Sequence, residues 1–233
     1  MNNFAGIDLY FLENKKNIRI LDYGCGNGEF SVFLIKNGFD ITAVDIDPES
    51  KNKIILQLTQ QEQLRFKFMH LVGQDSLNNY SQKFDVIICR EVLEHIKDYK
   101  NIVNIFSNIL NDTGYCIISV PTFFTEKYFG FCDKNWAQKC EHVNIFKKRD
   151  ILNLAKLNNF EIDHISTHSF RRTIFWSLVA PFKVDHKMGK ILNKNKFINF
   201  AEYFSNALCN IKFIDKLGNK ILPKSSVYYL RRM

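Results

Sequence analysis

The chain has 233 residues, 46% of them hydrophobic, and a formal net charge of +8, which is enough to build one large domain with a proper core. No apolar run approaches the ~20 residues that a membrane-spanning helix needs, and the opening MNNFAGIDLYFLENKK lacks the basic-then-apolar order of a secretory signal. The six cysteines form no C-x-x-C pair, so the expectation is of reduced thiols in a cytoplasmic protein.

From residue 18 to about 167, apolar runs alternate with helical periodicity. IRILDY (18–23) reads as a buried strand. It runs into GCGNG, where Gly24, Gly26 and Gly28 fall at alternate positions, in a chain with only 10 glycines. GEFSVFLIKNG then reads as a helix stopped by Gly38. DITAVD is a second strand, and PESKNKIILQLTQQ (48–61) a second helix with Pro48 in its first turn. RFKFMHL and FDVIICR are the third and fourth strands. KDYKNIVNIFSNILND (97–112) is a helix, YCIISVP a fifth strand, KRDILNLAKLNN a helix, and FEIDHIST a sixth strand. SSVYYLRR, near the end, is the seventh. Parallel strands need crossover helices, so this rhythm predicts a doubly wound α/β sheet, mostly parallel.

Two segments break the rhythm. Residues 121–146 are aromatic-rich and irregular, and they follow the fifth strand. That places them as a lid at the carboxyl edge of the sheet, where open α/β sheets bind ligands. Residues 168–224 hold eleven Lys/Arg against three Asp/Glu. Their surplus equals the net charge of the whole chain. Within them, Phe197, Phe200, Ala201, Phe204, Ala207, Leu208, Ile211, Ile214 and Leu217 recur at helical spacing. We read residues 1–233 as a single domain carrying a basic helical insertion before its last strand. Such an insertion on a neutral body suits an anionic neighbour: a phosphate, a membrane surface or a nucleic acid.

A strand, alternating glycines and a helix make a turn that a ligand can approach closely. Asp45 tips the second strand, 21 residues after Gly24, where a carboxylate can take both hydroxyls of a ribose. A dinucleotide loop would read G-x-G-x-x-G and face a pyrophosphate. Here the third glycine comes one residue early, and Asp22 and Glu29 bracket the loop. Acids there suit a cationic nucleoside without phosphate, such as S-adenosylmethionine.

ILDYGCGNGEF, AVDIDP, GQDSL, FDVIICREVLEHI and ILNDTGYCIISVP, in this order over residues 18–167, resemble the motifs of class I S-adenosylmethionine-dependent methyltransferases. The subgroup they resemble contains the ubiquinone-biosynthesis O-methyltransferases. The resemblance implies a Rossmann-like, seven-stranded, mostly parallel sheet. It implies that Gly24, Cys25, Gly26 and Gly28 pass under the homocysteine part, with Asp22 near the ammonium. Asp45 would hold the ribose, Ile46 would flank the adenine, and Asp75 and Ser76 would face its amino edge. The backbone at Cys89, with Arg90 beside it, would close the methionine side. Arg90 departs from the small residue usual there, and could pair with Glu91 or reach an anionic acceptor.

A hydroxyl acceptor needs its proton removed, so His142, His95 and Glu91 are the candidate catalytic groups. If EVLEH is helical, Glu91, Glu94 and His95 share one face just past the fourth strand. His142 could approach from the loop after the fifth. These four could hold Mg²⁺, Mn²⁺ or Zn²⁺, and they resemble the metal site of small-RNA 2′-O-methyltransferases. They could equally cap and pair within the fold. The leading expectation is O-methylation of a small-molecule, glycan or lipid-linked hydroxyl, with peripheral contact to an anionic membrane. The alternatives are metal-assisted RNA 2′-O-methylation and a module that binds the cofactor without catalysis.

Overall fold

The computed structural model describes residues 3–4, 7–9, 12, 18–73, 77, 80, 82–179 and 196–233. Two short strands, β1 (Asn3–Phe4) and β2 (Ile7–Asp8), pair antiparallel at the start. The alternation then begins with β3 (Arg19–Tyr23), α1 (Glu29–Lys36), β4 (Asp40–Asp45), α2 (Glu49–Ile55), α3 (Gln60–Gln63) and β5 (Phe66–His70). β6 (Phe84–Arg90), α4 (Tyr99–Ile109) and β7 (Leu110–Pro121) follow. Next come α5 (Phe123–Cys132), α6 (Trp136–Lys139), α7 (Lys148–Leu157) and β8 (Phe160–His168). α8 (Phe170–Val179), α9 (Lys196–Cys209), α10 (Lys212–Ile221) and β9 (Ser225–Arg232) complete the chain.

Seven of the strands form one sheet in the order β5-β4-β3-β6-β7-β9-β8. All neighbours pair parallel except β9, which runs antiparallel to both β7 and β8. From β3 the chain winds outward through β4 to β5, then returns to place β6 on the other side of β3. That reversal opens a crevice at the carboxyl ends of β3 and β6.

Alternate residues of each central strand feed two cores, as the two-residue period requires. Ile20, Val86, Ile88 and Tyr229 pack under Phe30 and Leu34 of α1 on one face. Leu21, Ile87, Ile118 and Leu230 pack under α4 and α7 on the other, against Ile102, Phe106, Ile151 and Leu154. Both faces are covered there, so the central parallel strands β3, β6 and β7 are buried along most of their length, whereas the edge strand β5 has no buried residue.

Three expected elements differ. The helix expected over 48–61 breaks in two, because Thr59 caps a new turn: its side chain accepts from the Glu62 N–H while Glu62 accepts from the Thr59 N–H. The segment 121–146 is only partly irregular: α5 and α6 lie within it, while 140–146 has no helix or strand. Aromatic residues sit all round α5, so no apolar stripe betrays the helix in sequence. In α9 the buried face is Ile198, Ala201 and Ser205, while Phe200 and Phe204 are exposed. Most of the aromatic residues that recur at helical spacing here therefore face out.

Candidate active site

The turn after β3 is a crook held on three left-handed glycines, with φ of 73° at Gly24, 54° at Gly26 and 78° at Gly28. They are glycine for different reasons. A Cβ on Gly28 would lie 2.0 Å from Ile54 Cγ1, and one on Gly24 2.4 Å from Val92 Cγ2. A Cβ on Gly26 would meet nothing within 4 Å, so the space above it is open. The crook is tied to the neighbouring strand by the N–H groups of Gly24 and Cys25, both donating to the Val44 carbonyl. Asp45 then clamps it: Oδ2 accepts from the Gly26 N–H at 2.7 Å and Oδ1 from the Asp47 N–H at 2.9 Å. Each oxygen keeps a second lone pair, and Ile46 beside it stands exposed.

Asp22 is buried beneath the crook and accepts from Ser31 Oγ at 2.6 Å. Burial raises its pKa, while the Ser31 bond and the charge of Arg90 oppose the rise. The Arg90 guanidinium stands over the Phe30 ring, 5.5 Å from its centroid. Burial also raises the pKa of the Cys25 thiol, so it is not a nucleophile.

A second cluster lies beyond the end of β6. Glu91 takes a left-handed φ of 54°, so the chain turns there instead of entering a helix. The next residues make only a 3₁₀ turn, Leu93–His95. Glu91 and Glu94 consequently part company. Glu91 Oε1 accepts from Ser119 Oγ at 2.7 Å; Oε2 accepts from Lys224 Nζ at 2.8 Å and from Ser225 Oγ at 3.0 Å. Burial alone would raise its pKa, but the Lys224 charge and these bonds outweigh that and hold it at about 2.

Glu94 turns the other way. It is 1% exposed, and neither carboxylate oxygen has a hydrogen-bond partner. Burial, and then the Glu91 charge, push its pKa well above the usual carboxylate range. Its oxygens face two imidazoles, and ligand atoms of Glu94, His95 and His142 lie within 4.8 Å of one another. Each ring is held from behind: His95 Nδ1 is 3.1 Å from the Glu141 carbonyl oxygen, and His142 Nδ1 is 2.8 Å from Glu126 Oε2. Both acceptors assign the proton to Nδ1, which leaves the Nε2 lone pairs free. Glu126 is itself buried and also accepts from Trp136 Nε1.

The methyltransferase-domain family model matches residues 3–165. The chain belongs to that family. It is a class I S-adenosylmethionine-dependent methyltransferase. A ubiquinone biosynthesis O-methyltransferase of Psychrobacter cryohalolentis is 30% identical over 102 residues, 43% of this chain and 40% of that protein. The chain thus matches about two-fifths of the length of that relative. The enzyme of the same name from Rickettsia typhi is 26% identical over 197 residues, 80% of this chain and 78% of its own. An S-adenosylmethionine-dependent methyltransferase structure from Mesorhizobium loti superposes with a TM-score of 0.62 at 13% identity, covering 92% of this chain and 91% of that one. At that identity the likeness is one of fold.

The methyltransferase crook fits its cofactor. The space over Gly26 is open, Asp45 retains acceptor capacity, and residues 22–29 supply acids and no cation. Gly24, Cys25, Gly26, Gly28, Asp22, Asp45 and Ile46 lie together, with the β6 end, Cys89 and Arg90, alongside. Asp75 and Ser76 fall outside the described residues. Of the expected metal set, the structure unites Glu94, His95 and His142. It corrects the shared face with Glu91, because the left-handed turn at Glu91 sends that carboxylate to Lys224. Arg90 does not take Glu91 either; Lys224 does. The lid aromatics divide: Phe129 and Trp136 are buried against Trp176, whereas Phe124 and Phe131 are exposed.

Sequence reading missed Glu126, Ser119, Lys224 and Ser225. Glu126 sits in a segment read only for its aromatics, and Lys224 was one lysine among many. The pairing of β6 with β7 brings Ser119 to Glu91, and that of β7 with β9 brings Ser225 and the neighbouring Lys224.

Proposed function

We propose that this methyltransferase transfers its methyl group to a hydroxyl of a small or lipid-linked acceptor, beside a divalent cation held by Glu94, His95 and His142. The observation that carries this reading is the buried, partnerless Glu94 carboxylate facing two imidazoles whose Nδ1 protons are engaged. A lone buried carboxylate costs several kcal/mol unless it is protonated or coordinated. Two histidines fixed from behind by a carbonyl and a carboxylate are the usual support of a metal site. The donor set of one carboxylate oxygen and two imidazole nitrogens suits Zn²⁺ or Mn²⁺ and leaves places for an acceptor oxygen.

S-adenosylmethionine, when bound, supplies a methyl group on a cationic sulfur. Asp45 and the backbone of the crook orient it through the ribose, and the Asp22 carboxyl lies beneath it. The chain's remaining work is to hold an acceptor oxygen about 3 Å from the methyl and exclude water. A cation on Glu94, His95 and His142 would supply a Lewis acid at the acceptor side. The α5 and α6 segment, which carries Glu126, covers this side. The relatives named above are O-methyltransferases of ubiquinone biosynthesis, which supports a hydroxyl acceptor and a lipid-linked one. Exposed Phe200, Tyr203 and Phe204 on α9, with exposed Lys212, Lys216 and Lys220 on α10, support an approach to an anionic membrane.

Calorimetric titration with Mn²⁺ tests the cation. We expect one site in the wild type, affinity lowered at least about tenfold by Glu94→Gln, and little change in Glu91→Gln. A titration without heat, or affinity lost with Glu91 and kept without Glu94, contradicts the assignment.

A further inference from the structure

His168 ends β8 at the carboxyl edge, in register with Ser225 of β9. Ser225 Oγ in turn donates to Glu91, so His168 extends a polar row across the strand ends: Glu91, Ser119, Ser225, His168. The ring Nδ1 is 2.6 Å from Ser169 Oγ, at a residue whose φ of 67° folds the chain back against the ring. Nε2 is buried and has no hydrogen-bond partner. A buried N–H left orphaned is rarer and costlier than an orphaned lone pair, so the proton belongs on Nδ1 and the lone pair on Nε2. His168 is not one of the Glu94, His95 and His142 group whose ligand atoms lie within 4.8 Å of one another.

We infer that His168 Nε2 is the base that takes the proton of a phenolic acceptor hydroxyl during methyl transfer. This rests on the hydroxyl-acceptor reading above. A lone pair on the phenol oxygen forms the new O–C bond. The electron pair of the breaking C–S bond returns to sulfur, and the hydroxyl proton passes to Nε2. The products are an ether, a neutral thioether and an imidazolium, so the one positive charge moves from sulfur to His168. Glu91 is close enough to steady that imidazolium. Lys224 and Arg90 are also close and favour the neutral ring before reaction. Burial lowers the His168 pKa, Glu91 opposes this, and Lys224 and Arg90 reinforce it. The ring is therefore neutral, and able to accept a proton, at neutral pH.

The test uses the full chain, S-adenosylmethionine and catechol as the probe acceptor. Turnover is followed from about pH 5.5 to 9 in the wild type, His168→Gln and His168→Ala, with S-adenosylhomocysteine affinity measured for each. The expected result is a loss of at least about 10²-fold in kcat in both variants, with the acidic limb of the profile abolished and product affinity within about twofold. A His168→Gln enzyme that keeps wild-type kcat and its acidic limb overturns the assignment. So does loss of S-adenosylhomocysteine binding in both variants, which makes His168 a prop of the fold. If the wild type binds S-adenosylhomocysteine but never methylates catechol, the phenolic acceptor fails, and the base assigned to it fails too.

Discussion

Gly26 and Gly28 have the same backbone sign but different neighbours, and substitution should separate them. Gly28→Ala drives a Cβ into Ile54 and should cost stability, about 2 kcal/mol or more in chemical denaturation. Gly26→Ala meets no atom of the chain and costs only the strain of its left-handed backbone, about 1–2 kcal/mol, so its distinguishing damage should be weakened S-adenosylhomocysteine binding in calorimetry. Asp45→Ala should weaken the same binding by roughly 1.5–3 kcal/mol, the value of charge-assisted hydrogen bonds. Unchanged affinity would remove Asp45 from the ribose site. The Glu91–Lys224 pair makes a prediction of its own. Glu91 is depressed from 4.5 to about 2, so its contribution to stability is complete above its ordinary value and is lost as pH falls through that window. Lys224→Met should destabilise by about 2 kcal/mol near neutrality, the partner being partly exposed. In thermal melts the gap to wild type should close between about pH 4.5 and 2. A gap independent of pH would mean that packing, not charge, is what Lys224 provides. The crook and Asp45 were legible in sequence because spacing alone sets them, strand by strand. The fate of Glu91 was not. One left-handed residue and a lysine 133 positions away decide it.

Among the elements, strands and crossover helices were legible because each is set by a local apolar period. SSVYYLRR is β9 residue for residue, and KRDILNLAKLNN contains α7. What escaped was direction and facing. Nothing within SSVYYLRR says that it will insert antiparallel between β7 and β8. In α9, Ile198, Ala201 and Ser205 turn inward because α8 offers Phe175 and Val179 to pack against, while the larger aromatics stay in solvent. Two substitutions should separate the faces. Ile198→Ala should cost about 2 kcal/mol of stability. Replacing Phe200 and Tyr203 by Ser should leave stability within about 0.5 kcal/mol, yet abolish flotation with anionic liposomes at low salt. If the wild type does not float, the membrane-facing reading of α9 falls.

At the scale of the molecule, the winding order puts two chemistries on one edge. β3 and β4 bring the crook and Asp45; β6, β7, β8 and β9 bring Glu91, Ser119, His168 and Ser225; the turn after β6 and the α5–α6 segment bring Glu94, His95, Glu126 and His142. The family, the sheet and the cofactor follow from the ordered motifs, and family match and topology agree on them. On the acceptor side only Glu91, Glu94 and His95 stand in a motif; their partners His142, Glu126, Lys224 and Ser225 come from segments far apart in sequence. Among the described residues no helix is long and apolar enough to cross a membrane. The most direct measurement is transfer of labelled methyl from S-adenosylmethionine to catechol before chelation, after it, and after Mn²⁺ is returned. The account predicts transfer that chelation abolishes and Mn²⁺ restores. Transfer indifferent to the chelator would contradict it.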